Sequence, residues 1–141
     1  MNTLNANAML THITQEIKRK KQASNSNQRL PLVRYQADND TLIIKESSKR
    51  LNSLHMEAIK TIIADHLNGN NEIDIALQLA NINIQSLSLL FDLFKFCNGL
   101  QQWKKNINIT WYMPLNQSRT KEIALNLKEI YKLNVRIFHI S

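Results

Sequence analysis

The sequence predicts an α/β domain: a mixed sheet of about five strands with helices packed on it, in the order β-β-α-β-α-β-α-β. Three observations predict it. Short stretches of alternating apolar and polar residues recur along the chain, and stripes of helical spacing fall between them. The first two strands are joined by the tight polar turn Asp38-Asn39-Asp40, as a hairpin requires. Every later pair of strands is separated by a helix, which makes the sheet largely parallel after that hairpin.

Each element has its own justification. Residues 7–22 space Leu10, Ile13 and Ile17 at helical intervals and end in the basic run Lys18 to Lys21. The polar stretch Ala23 to Gln28 then reads as a connector, so residues 1–29 form a basic helical arm and linker and residues 30–141 the main domain. Pro31 opens that domain. Leu32 to Tyr35 and Thr41 to Lys45 are β-prone runs. Leu51, Leu54, Ala58, Ile59, Ile62, Ile63 and Leu67 make a helical stripe, closed by Asn68-Gly69-Asn70. Ile73, Ile75, Leu77 and Leu79 alternate with polar or small residues as a strand with one strongly apolar face. A helix follows to about Leu100. Ile107, Ile109, Trp111 and Met113 alternate as the next strand, stopped by Pro114; Trp111 is expected in the core and Tyr112 on the opposite face. A helix over roughly 117–132 carries Ile123, Leu127, Ile130 and Tyr131, and Val135 to Ile140 is the last strand.

The bulk numbers narrow the function. The chain has 141 residues, of which 43% are hydrophobic, enough for one domain with a real core. Asp92 and Lys95 interrupt its greasiest segment, no signal peptide opens it, and one cysteine permits no internal disulfide, so a cytoplasmic location is expected. The net charge of +7 is unevenly spread: residues 1–30 contribute +4 and the rest only +3. The main domain therefore lacks the basic stripe with interleaved aromatics that a single-strand binder needs.

Nothing nominates catalysis. Glycine occurs only at positions 69 and 99, which leaves no glycine-rich phosphate loop. His55 and His66 share one face of a helix but stand roughly 16 Å apart along its axis, too far to share a metal. Cys97, among Phe94, Phe96 and Leu100, reads as a small buried hydrophobe. Asp38 and Asp40 shape a turn. No cofactor, metal or small-molecule substrate is expected.

The stretch NINIQSLSLLFDLFKF, residues 81–96, carries the most functional information. Ser86 follows a strand and precedes an apolar run, which suits a helix N-cap worth ~1 kcal/mol. The same position, at the positive end of a helix, would tolerate a phosphoryl group, and phosphorylation would add almost two negative charges to the surface. Gln85, Ser86 and Ser88 are expected to be accessible there.

These residues also carry a resemblance. Leu30-Pro31-Leu32-Val33-Arg34-Tyr35, then Thr41-Leu42-Ile43-Ile44 with Asn52 shortly after, are similar to the opening strands and first helix start of the SiaC-like phosphoprotein branch of the STAS fold, the fold of bacterial anti-sigma-factor antagonists. Asn83-Ile84-Gln85-Ser86, leading to Leu90-Phe91-Asp92, lies where that branch has an Asn-Thr-Ser-Ser turn and a Leu-Leu-Asp helix. Trp111-Tyr112 matches an aromatic pair. The likeness spans about residues 30–140. It implies a non-catalytic signalling module, phosphorylated on one hydroxyl of this turn by a partner Ser/Thr kinase and reset by a PP2C-type phosphatase. Its further partner would be a diguanylate cyclase, or an anti-sigma kinase in the wider fold.

The register of the turn decides which residue is the acceptor. Matching Asn83 to the family turn puts the acceptor on Ile84, which has no hydroxyl; two other registers put it on Leu87 and on Ser88. Ser86 and Ser88 are therefore the phosphorylation candidates, within a partner-binding segment Asn83, Ile84, Gln85, Ser86, Leu87 and Ser88. A relative that docks without phosphorylation fits as well. The alternative from another class is nucleic-acid or membrane-surface binding through the basic arm, which three apolar positions support weakly.

Overall fold

The computed structural model describes residues 32–46, 50–79 and 81–140; the expected basic arm lies outside them. The strands and helices follow the predicted order: β1 (Val33–Gln36), β2 (Thr41–Lys45), α1 (Ser53–Gly69), β3 (Glu72–Gln78), α2 (Ile84–Gln101), β4 (Asn106–Pro114), α3 (Ser118–Tyr131) and β5 (Asn134–Ile140). The hairpin turn is a single 3-10 turn, Ala37–Asn39, ended by Asp40 in the left-handed region at φ 52°. Aspartate tolerates that conformation better than a branched side chain does.

The five strands lie in sequence order across one sheet. β1 pairs antiparallel with β2; β2–β3, β3–β4 and β4–β5 are parallel. The register aligns apolar rows across the sheet, Leu42–Ile75–Ile109–Val135 and Ile44–Leu77–Trp111–Ile137. Because successive strands are neighbours, right-handed crossovers bring all three helices to the same side. The other face carries Thr41, Asp74, Asn108 and Asn134 in register. Asn108 Nδ2 donates to Asp74 Oδ1 at 3.1 Å, and Asn134 Nδ2 to Asn108 Oδ1 at 2.8 Å.

The core confirms the sheet pattern closely and the helix stripes less so. Ile73, Ile75, Leu77, Ile107, Ile109, Trp111 and Met113 are all buried, and Tyr112 lies on the opposite face, stacked on Phe138 with ring centroids 5.8 Å apart. On α1, Leu54 is exposed and Met56 is buried in its place. Leu54 stands in the first turn on the side away from buried Leu51 and Met56. On α3, Thr120, Ala124 and Leu127 face inward while Ile130 faces out. The i, i+4, i+7 stripe begins one turn earlier than the largest apolar residues suggest.

Three side chains considered for chemistry make structural contacts. Burial pushes the Cys97 thiol up to about 12, so it is no nucleophile at neutral pH. His66 Nε2 lies 2.8 Å from the Glu72 carbonyl, and its Nδ1 bonds the Tyr35 hydroxyl. A carbonyl can only accept, so Nε2 carries the proton and Nδ1 accepts from Tyr35, tying α1 to β1 and β3. His55 completes a capping box: Asn52 N donates to His55 Nδ1, and His55 N to Asn52 Oδ1.

Candidate functional site

Parallel strands deliver all their following loops to one edge of a sheet, where α/β domains place their sites. Here that edge gathers the segment before α1, the β3–α2 junction and the β4–α3 loop. Trp111 fixes the junction from below. Its Nε1 donates to the Leu79 carbonyl at 3.0 Å, in the core.

The junction differs from the sequence expectation in two respects. The N-cap of α2 is Asn83, not Ser86: Asn83 Oδ1 accepts from Ser86 N at 2.8 Å, and the first helical bond runs from Leu87 N to Asn83 O. Asparagine caps as well as serine, and it comes first along the chain. Ser86 is then a helical residue and only 4% exposed, which corrects the expectation of an accessible hydroxyl. Helical spacing explains it: Ser86, Leu90, Leu93 and Cys97 are all buried on one stripe.

The outward stripe is Ile84, Ser88, Phe91 and Lys95, all exposed. Ile84, the first residue of the helix, is 85% exposed. Gln85 and Asn83 are exposed beside it, and Leu87 is half-buried. The segment named from the sequence is thus one surface, except that Ser86 faces the core. Ser88 stands one turn along the helix from Ile84, on the same face.

Sequence reasoning missed three further residues at this edge. Arg50 Nη1 donates to the Asn81 carbonyl at 3.3 Å. Arg50 and Arg119 line a cleft of about 190 Å³ together with Asn81, Asn83, Gln117 and Thr120. Leu115, in the β4–α3 loop, is 71% exposed. No local motif marks any of them, because three separate elements contribute; only their positions after parallel strands could have drawn attention. Behind this edge, Lys60 Nζ lies 2.6 Å from Asp92 Oδ2 and joins α1 to α2. That pair is partly exposed and adds little stability.

Among the described residues no group of three His, Cys, Asp or Glu could hold a metal ion, and no helix is long and apolar enough to cross a membrane. The edge offers apolar knobs, amides and two guanidinium groups, a chemistry of binding.

A five-strand sheet backed by helices on one side, in this element order, is of the STAS-like fold class. The SiaC family regulatory phosphoprotein model matches residues 21–140, and the chain belongs to that family. Two solved structures share the fold. One is the crystal structure of the diguanylate cyclase SiaD in complex with its activator SiaC from Pseudomonas aeruginosa, at TM-score 0.64 and 16% identity, covering 74% of this chain and 88% of that chain. The other is apo-SiaC from Pseudomonas aeruginosa, at TM-score 0.61 and 15% identity, covering 74% and 87%. No curated protein matches the sequence.

Proposed function

We propose that this chain is a non-catalytic regulator that binds a partner protein through the amino-terminal end of α2. The partner class is a diguanylate cyclase, the class found with SiaC in the related crystal structure. The observation that carries the reading is Ile84, an isoleucine 85% exposed at the first position of a helix. An apolar side chain of that size in water contributes nothing to the fold. On docking it would bury its surface at roughly 25 cal/mol per Å².

The same position bears on regulation. In the register that matches Asn83, the observed N-cap, to the asparagine of the family turn, the acceptor threonine falls on Ile84, which has no hydroxyl. Docking then needs no phosphatase to switch it on. Ser88 remains a candidate acceptor on the same face, because it is exposed. Ser86 would have to leave the core to reach a kinase. A phosphoryl group on Ser88 would place almost two negative charges one turn from Ile84 and weaken an apolar contact there.

The test is calorimetric titration of the full chain, as expressed without any kinase, into the diguanylate cyclase from the same genome. Cyclase turnover is measured alongside. Saturable binding with a change in turnover is expected. No binding by unmodified protein, with binding restored only by phosphorylation or by another partner, would overturn the reading.

A further inference from the structure

We propose that the cleft between Arg50 and Arg119 is a binding site for a phosphate-type oxyanion. The inference goes beyond the docking reading and does not depend on the partner's identity, although the cleft shares Asn83 with the docking segment.

Two guanidinium groups from distant parts of the chain are brought to one cleft of about 190 Å³. Among the described residues no carboxylate lines it. The Glu46 carboxylate, the nearest acid in sequence to Arg50, accepts from Leu51 N at 2.8 Å and does not form part of the wall. Two like charges facing a shared space repel, and an anion between them removes the repulsion. Arg50 is held in place by its bond to the Asn81 carbonyl, which leaves its other N–H groups free to donate in the fork geometry that suits phosphate.

Arg119 stands in the first turn of α3, where a cation is electrostatically disfavoured. That turn holds no acidic residue, and the Gln117 side chain does not cap it. An anion placed between the two arginines would be electrostatically favoured. Asn81, Asn83, Gln117 and Thr120 line the cleft with the two arginines, beside Ile82 and Ile123. The volume accommodates one tetrahedral oxyanion with a few waters, since each water takes about 30 Å³. The volume suits a single phosphate group, either free or carried on a side chain of another protein.

The experiment is an amide NMR titration of the full chain with inorganic phosphate and, separately, with O-phosphoserine, against sodium chloride at matched ionic strength. Saturable shifts at residues 81–86 and 117–120 are expected with the phosphates and not with chloride. Arg119→Gln and Arg50→Gln should each weaken binding about tenfold or more, the loss of one charge-assisted contact. Well-dispersed spectra will show that both variants fold. Tighter binding of O-phosphoserine identifies a phosphorylated side chain as the ligand, and tighter binding of inorganic phosphate identifies the free ion; both support the site. Shifts that chloride reproduces, or that survive both substitutions in folded protein, would overturn it.

Discussion

Replacing Trp111 by alanine is expected to cost about 3–5 kcal/mol of folding stability, measured by urea denaturation. Trp111 is wholly buried at the centre of the sheet and packs against Phe94, with ring centroids 6.4 Å apart. Truncation opens a large cavity among residues from β3, β4 and α2 that cannot collapse onto it. It also leaves the Leu79 carbonyl without its donor, and a buried carbonyl in that state is costly. Small domains are stable by roughly 5–15 kcal/mol, so the loss is a large share of the total. Trp111→Phe keeps one six-membered ring in the core and removes the N–H together with the pyrrole part of the indole, so a smaller loss is expected than for alanine. About 1–3 kcal/mol is expected for that change. A loss below about 1 kcal/mol for Trp111→Ala would show that the β3–α2 junction is not anchored from the core.

Ile84→Asp is expected to weaken cyclase binding by at least about 30-fold, or ~2 kcal/mol, the scale of an interface hot spot. The physical basis is that a charge replaces an apolar knob, and desolvating a carboxylate without a partner is costly. The fold itself should be indifferent to the change. Ile84 touches little, and an acidic side chain at the start of α2 interacts favourably with the helix dipole, by about 0.3–1 kcal/mol. Thermal denaturation should therefore give a melting temperature equal to or above that of the wild type. Lost binding with retained stability isolates a docking role. Unchanged affinity would remove Ile84 from the interface.

Much of the fold was legible in the sequence because strands with one buried face write an unambiguous period of two. Ile73 to Leu77 and Ile107 to Met113 are such runs, and both lie in the sheet with the expected faces. Helical stripes are less decisive. A stripe can rotate by one position when small residues such as Ala124 fill the interface and Ile130 turns to water. The same ambiguity affected the site. Asn83, Ser86 and Ser88 are all competent to begin a helix, and only the observed bond from Ser86 N to Asn83 Oδ1 fixes the register. Once it is fixed, the inward fate of Ser86 and the exposure of Ile84 follow from 3.6 residues per turn. Arg50 and Arg119 were not legible at all, since their meeting depends on the parallel order of β2, β3 and β4 rather than on any spacing along the chain.

Hydrogen exchange of the full chain, alone and saturated with the cyclase, tests the location of the docking face most directly. Slowed exchange is expected at amides 83–91 and in the β4–α3 loop, with the strand amides of β1 and β2 unchanged. Protection confined to other surfaces, with residues 83–91 exchanging as in the free protein, would contradict docking through the start of α2.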